Sequence, residues 1–285
     1  MFLRNFAAAN PIVMEDNLIS VIVPTFNTGH LLEDCLDSIL NQTYRDLEVV
    51  VTDDCSDDED TIRILKTFER KDDRLRVFWL SQNGGAGMAR NNSIRHARGR
   101  YIAFCDSDDL WEPTKLEKQM AYMTETGCCI VCSSYYKCDE DGNITAIVRP
   151  PKRISYGMLK RDNKIGCLTA IYDTKPYGKF YLPIIRKRQD WGMFLSIVRQ
   201  CGYAYSIKEP LACYRKRKRS LSRNKTSLVK YNIAVYHKVL GYSKIKSCLY
   251  FFLLFLPTYF IKVLKVRIDS FIYTRQHKGK NETWC

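Results

Sequence analysis

Acidic residues all but vanish from the last quarter of this sequence. From Pro210 onward 17 lysines and arginines face 2 aspartates and glutamates, whereas the preceding 209 residues carry 28 against 29. The formal net charge of +14 therefore belongs to one end of the chain, which excludes an evenly balanced surface. A block of that sign is either a solvated face or a surface for nucleic acid, anionic lipid or a phosphorylated ligand. Histidine is scarce too, with 4 in the whole chain. None stands at ligand spacing from the C-x-x-C of Cys129 and Cys132, and no second cysteine pair follows, so a zinc site gives way to small apolar residues in a strand. No apolar h-region opens the sequence, since Met1–Asn10 is short and carries Arg4. The 12 cysteines are accordingly expected to be reduced and cytosolic. Internal repeats and low-complexity stretches are lacking as well.

What is present is an alternation of strand-length apolar runs with segments of helical period. With 285 residues and 46% apolar content, the chain is long enough for one substantial α/β domain and a smaller appendage. Strands are predicted at Leu18–Val23, Leu47–Thr52, Leu75–Leu80 and Tyr101–Cys105. Leu32, Leu36, Ile39 and Leu40 mark one face of a helix from about His30 to Asn41; Ile62, Leu65 and Phe68 do the same after the capping candidates Asp57 and Asp58. Successive βαβ units of this kind build a mostly parallel sheet covered by helices on both faces. After residue 110 the pattern loosens into a helix near Pro113–Glu125, a strand at Cys129–Tyr135, a turn at Asp139–Asn143 and a Pro150-Pro151 break. A further helix is expected from Gln189 to Cys201, with Gly202 as its stop.

Ligands of open parallel sheets bind beyond the carboxyl ends of the strands, so the residues following each strand are the candidates for chemistry. They are Pro24-Thr25-Phe26-Asn27, Asp53-Asp54-Cys55-Ser56-Asp57, Asn83-Gly84-Gly85-Ala86-Gly87 and Asp106-Ser107-Asp108-Asp109. Three acids packed together repel one another unless a cation is present, which points to Mg²⁺ or Mn²⁺ on Asp106, Asp108 and Asp109. The competing reading of that cluster is a helix-capping turn. The glycine run fits neither G-x-G-x-x-G nor the Walker loop. It is either an ordinary turn or a place where Gly84 and Gly85 bring backbone close to ribose or phosphate, with Arg90 adding positive charge. Phe26 can stack on a base or pack beside its strand. Asp190 opens the last predicted helix beside Arg186-Lys187-Arg188, either as an N-cap or as an ionised carboxylate able to accept a proton.

The order of these signals resembles the family 2 glycosyltransferases, inverting enzymes with the GT-A fold. Ser20-Val21-Ile22-Val23-Pro24-Thr25-Phe26-Asn27 resembles that family's opening strand, and Asp53 through Asp58 its D-D-x-S-x-D nucleotide loop. Asn83 through Asn91 resembles the N-x-G-x-x-x-A-R-N segment, and Tyr101 through Asp109 the strand ending in the D-x-D metal motif. The resemblance implies that Phe26 and Asp54 contact the base, within a nucleotide-sugar site of Pro24, Thr25, Phe26, Asn27, Asp54, Asn83, Gly84, Gly85, Arg90, Asp106 and Ser107. It implies that Asp106 and Asp108 serve ribose, diphosphate and metal, assisted by Asp109. Gln189-Asp190-Trp191 is similar to the family's E-D motif with glutamine for glutamate, giving Asp190 the role of catalytic base. The Gln-x-x-Arg-Trp signature of processive relatives is missing, which implies one sugar per binding event. Arg215 to Lys225, with Ser220 and Ser222, resembles the C-terminal basic segment of bacterial surface-polysaccharide transferases of the teichuronic acid, capsule or O-antigen type.

The expected architecture is thus a GT-A catalytic domain over 18–210, with a nucleotide-binding half at 18–110 and an acceptor half at 111–210. A basic, amphipathic helical extension over 211–285 would associate with membrane. The expected partners are a nucleoside-diphosphate sugar, UDP first among the nucleotides, a glycan or lipid-linked acceptor, and no nucleic acid. The expected location is peripheral, on the cytoplasmic face of the membrane. Ser247–Ile261 is apolar but interrupted by Pro257 and bounded by Lys246 and Lys262, short of the about 20 residues that span a bilayer. It either inserts Tyr250, Phe251, Phe252 and Phe255 into the interface, with Lys238, Lys244, Lys265 and Arg267 meeting anionic lipid, or packs as a buried helix. Two other functions share parts of this pattern: a nucleotidyltransferase with its own carboxylate–metal site, and a basic nucleic-acid-binding protein, against which the acidic strand ends argue.

Overall fold

A computed structural model describes residues 15–140, 142–216 and 225–276. The first half is an alternation of strand and helix: β1 (Glu15–Thr25), α1 (Leu31–Leu40), β2 (Leu47–Asp53), α2 (Glu59–Lys71), β3 (Leu75–Trp79), α3 (Ala86–His96) and β4 (Gly99–Phe104). Val49, Val50, Val51 on β2 and Ile102, Ala103, Phe104 on β4 are fully buried, as expected of parallel strands covered on both faces. Asp58 caps α2 by accepting the Thr61 amide at 2.8 Å.

The second half contains β5 (Leu110–Trp111), α4 (Lys115–Thr126), β6 (Ile130–Cys138), β7 (Ile144–Val148), β8 (Arg153–Ser155), α5 (Tyr156–Arg161), β9 (Ile171–Asp173), α6 (Gln189–Cys201) and β10 (Tyr203–Arg215). All ten strands join one sheet, ordered β3-β2-β1-β4-β9-β6-β10-β5, with β7 on β6 and β8 on β10. Pairing is parallel across β3-β2-β1-β4 and mixed beyond, where β9 runs antiparallel to both β4 and β6. The chain leaves β1 toward β2 on one side and returns to β4 on the other. The crevice where strand order reverses therefore lies beyond the carboxyl ends of β1 and β4.

Cys138 on β6 and Cys213 on β10 face each other with Cα atoms 6.4 Å apart and form a disulfide, which corrects the expectation that every cysteine is reduced. The other described cysteines are free. Cys132 is buried in β6, where it packs as a small apolar residue of that strand.

After β10 come α7 (Lys225–Ala234), a π-helical turn at Val235–Val239, α8 (Lys244–Tyr250), a second π turn at Phe251–Phe255 and α9 (Leu256–Gln276). Residues Lys244–Arg275 form one continuous 32-residue helix, long and apolar enough by length and composition to cross a membrane. The expectation of a stretch too short to span is corrected: Pro257 does not end the helix, because the π turn before it absorbs the hydrogen bond that proline cannot make. One face of this helix rests on the sheet domain from Phe255 to Tyr273. Phe255 packs against Trp191 with ring centroids 5.5 Å apart, the Ser270 hydroxyl accepts the Ile147 amide at 3.1 Å, and Tyr273 meets Tyr136 at 5.3 Å. The opposite face carries Phe252, Leu253, Phe260, Ile261, Leu264 and Phe271, each more than half exposed.

Candidate active site

The Thr25–Asn27 strand end is organised by its neighbours. Asp54 donates its amide to the Thr25 carbonyl at 2.8 Å, and Asn27, at φ +46°, donates its own amide to the Ser56 hydroxyl at 2.9 Å. The Asn27 side chain also bonds Asp57 at 2.6 Å. Pro24 and Thr25 are buried, whereas Phe26 is 47% exposed and so is not packed into the core beside its strand.

Asp54 is buried and serves the glycine loop: its two carboxylate oxygens accept the amides of Gly84 and Gly85 at 2.8 and 2.6 Å, and the Asn83 side chain donates to its carbonyl. By sequence this run is either an ordinary turn or a place where backbone approaches ribose or phosphate. In the structure the two amides tie the loop to β2, because an acid at the β2 end lies within reach of the positive end of α3. Gly85, at φ +84°, sets the turn into α3. Gly87 is needed for a different reason: a Cβ there would overlap the Gln189 side chain at 2.1 Å, so α6 seats directly on α3. The Asn91 side chain holds the approach to α6 through two bonds with the Leu182 backbone.

Arg90, from α3, pairs with Asp106. Its burial opposes the charge, but Asp106, and more weakly Asp190, outweigh that and hold the guanidinium protonated. Arg90 thus stands between the β4 end and the start of α6. Ser107 is buried and shares a 2.7 Å hydrogen bond with Thr28. Asp109 is fully buried, and desolvation, then Asp108 and Asp106, push its carboxyl well above the usual carboxylate range. Among the described residues no three His, Cys, Asp or Glu side chains converge, so Asp106, Asp108 and Asp109 do not form a ready-made three-ligand cluster. The repulsion among the three acids is relieved at Asp106 by its ion pair with Arg90. Asp106 and Asp108 are both partly exposed hard-oxygen donors, the kind of group that suits Mg²⁺ or Mn²⁺ while leaving positions for water and substrate phosphates. Asp109 Oδ2 has no hydrogen-bond partner in the structure.

Arg215 is likewise redefined. Expected as a tail cation, it is 2% exposed and clamps the acidic loop: Nε donates to the Asp108 carbonyl at 2.6 Å, its amide to Asp109 Oδ1 at 3.1 Å, and its remaining nitrogens to Asp34 and the Leu31 carbonyl. Most of the rest of that basic segment, residues 217–224 including Ser220 and Ser222, lies outside the described residues.

Asp190 is the second residue of α6, two positions after an N-cap formed by Arg188 at φ +65°, so it is not the cap. Asn163 donates to Asp190 Oδ2 at 2.9 Å. Asn163, through that hydrogen bond, and Arg90, through its charge, both act on Asp190. Cys167 shares this pocket: burial, opposed by Arg90 and reinforced by Asp106 and Asp190, raises its thiol well above the ordinary range. Motif reading did not find Asn163, Thr28 or Cys167. None lies in a recognisable pattern, and only the folding of the segment between α5 and β9 brings Asn163 and Cys167 here. The cavity of about 550 Å³ lined by Arg100, Tyr101, Cys128 and Asp173 opens at the amino end of β4 and is separate from these groups.

The glycosyl transferase family 2 model matches residues 20–182. The putative teichuronic acid biosynthesis glycosyltransferase TuaG of Bacillus subtilis is 38% identical over 223 residues, covering 78% of this chain and 88% of that protein. The Escherichia coli enzyme WfgD, named a UDP-Glc:α-D-GlcNAc-diphosphoundecaprenol β-1,3-glucosyltransferase, is 33% identical over 219 residues, covering 74% and 82%. Among solved structures, S. aureus TarS 1-349 in complex with UDP-GlcNAc superposes with a TM-score of 0.64 at 21% identity, over 80% of this chain and 69% of that one. The mannosyltransferase PcManGT of Pyrobaculum calidifontis, in complex with GDP-Man and Mn²⁺, does so with a TM-score of 0.57 at 20% identity, over 81% and 67%. Both likenesses concern the fold.

Proposed function

Because this chain belongs to glycosyl transferase family 2, we propose that it moves a single sugar from a UDP-sugar to a hydroxyl of a lipid-linked glycan, with inversion, during surface-polysaccharide assembly. The observation that carries this reading is the line Asp106–Arg90–Asp190, which joins the β4 end to a carboxylate at the start of α6. Phe26 and Asn27 offer the exposed end of β1 to the nucleoside, and Asp106 and Asp108 would hold Mg²⁺ or Mn²⁺. When bound, that ion neutralises charge on the departing diphosphate. Arg90 adds a fixed positive charge at the same place, one that needs no rearrangement as the leaving group departs. Asp190 takes the proton from the acceptor hydroxyl as its oxygen attacks the anomeric carbon and the bond to the diphosphate breaks.

The lipid-linked acceptor is supported by the names of the curated relatives and by the half-exposed apolar face of α8 and α9. Lys244, Lys246, Lys265 and Arg267, all exposed, flank that face. Each basic residue near an anionic leaflet contributes about 1 kcal/mol, and the apolar side chains add burial to that. Contact with the sheet domain from Phe255 to Tyr273 favours a helix lying on the cytoplasmic leaflet over one crossing it.

The test is release of UDP from UDP-glucose and UDP-GlcNAc in the presence of a synthetic GlcNAc-diphospholipid, with Mn²⁺ or Mg²⁺. Wild type is expected to turn over with at least one donor. Asp190→Asn should lose about 10²–10⁴-fold in rate while its donor-induced thermal shift persists. Transfer within a few-fold of wild type in that variant would remove Asp190 from the mechanism.

A further inference from the structure

The C-terminal helix reaches the catalytic region through Phe255, packed on Trp191, and through a polar side chain, Lys262. Lys262 of α9 bonds Asp162 Oδ2 at 2.9 Å and the Asn163 carbonyl at 2.8 Å. Asp162 is buried, and its other cation is Lys164 at 3.1 Å. The Asn163 side chain has no freedom to flip: its oxygen accepts the Ile165 amide at 3.1 Å, which leaves its nitrogen to donate to Asp190 at 2.9 Å. The preceding helix is fixed on the same side. The last carbonyls of α5, which lack partners within a helix, accept the Trp191 indole at Leu159 and the Tyr236 hydroxyl at Lys160, at 2.7 Å each.

We infer that Asn163 and Lys262 are positioning residues for Asp190. Lys262 fixes the Asp162–Asn163 turn, Asn163 fixes the carboxylate, and the C-terminal helix thereby completes the catalytic site. This rests on the assignment of Asp190 as the base. It also gives the apolar helix a role beyond adhesion. A carboxylate free to rotate spends much of its time out of line with the acceptor hydroxyl, and small misplacements at a reacting centre cost up to about a hundredfold in rate. Lys262 lies on α9 between the exposed apolar residues Ile261 and Leu264, so whatever holds that face also holds the turn.

The experiment is steady-state UDP release from UDP-glucose with the GlcNAc-diphospholipid acceptor, on the full chain, with thermal midpoints recorded for every variant. Asn163→Ala is expected to lower kcat by about tenfold to a hundredfold while the donor KM stays within about twofold. Lys262→Met should lower kcat in the same direction, and Lys262→Arg, which keeps a donor and a charge, should restore most of it. Because Lys262 acts through Asn163, the double variant N163A/K262M should be no slower than N163A alone. Neither change should slow D190N further. If K262M does not fold, Lys262→Gln serves in its place.

Wild-type kcat in N163A, or rate losses of N163A and K262M that multiply, would overturn the coupling while leaving Asp190 as base. A D190N variant that still transfers at the wild-type rate would overturn both. A fall in donor affinity or thermal midpoint that accounts for the whole loss would reduce Lys262 to a structural contact and refute the inference.

Discussion

Lys115 is a cation in the wrong solvent. It opens α4 and is fully buried, with its ammonium donating to Gln119 Oε1 at 2.7 Å and lying 3.8 Å from the centroid of the Trp111 ring. Desolvation is the main cause that brings its pKa down from 10.5 to about 7. Between those values the unfolded chain binds a proton that the folded chain does not. Stability therefore rises with pH across that window, and the cost is complete below about pH 7. At about 1.4 kcal/mol per pH unit, the cost at neutral pH is on the order of 4 kcal/mol, and about 2 kcal/mol of it is relieved by pH 9.

Lys115→Met keeps the volume and removes the charge. It also leaves Gln119 Oε1 without a donor, costing about 1–3 kcal/mol, and forfeits a desolvated cation–aromatic contact of about 2 kcal/mol. The net change in stability at pH 7 is consequently small, but the pH dependence is not. Urea unfolding at pH 7 and pH 9 should show wild type gaining about 2 kcal/mol more over that interval than K115M does. Equal gains in the two proteins would mean that Lys115 is protonated in the fold, and the desolvation argument would fail.

The donor site should depend on a divalent cation through Asp108, so Asp108→Asn is expected to abolish the Mn²⁺-dependent part of UDP binding by calorimetry; unchanged affinity, with wild type indifferent to EDTA, would refute the metal assignment. Cutting the chain before Ser247 is a poor test of membrane docking, because Phe251 and Phe255 are buried against Trp191, and Phe255→Ala alone should cost about 3–5 kcal/mol on urea unfolding. The exposed face is the better target. A Phe260→Asp/Leu264→Asp variant should keep its thermal midpoint and its UDP binding yet no longer sediment with anionic liposomes; sedimentation equal to wild type would place the contact elsewhere.

The βαβ core was legible residue by residue, because parallel strands buried on both faces must be runs of valine and isoleucine, and because helices between them repeat every three to four positions. The span Gln189–Cys201 of α6 and the four strand ends that meet at the crevice follow from the same periodicities. Strand-end motifs located the acidic and glycine loops for a related reason: their chemistry is local, concentrated in five or six consecutive residues. Partners across the fold carried no such signature. That Asp54 spends its oxygens on glycine amides, that Arg90 neutralises Asp106, that Arg215 clamps the acidic loop from far along the chain and that Asn163 holds Asp190 are pairings of single side chains brought together by packing, and no spacing in the sequence encodes them. Pro257 misled for the same reason. Proline forbids one hydrogen bond, and only the surrounding helix decided whether a π turn would absorb the loss and let one helix run from Lys244 to Arg275 across the sheet domain.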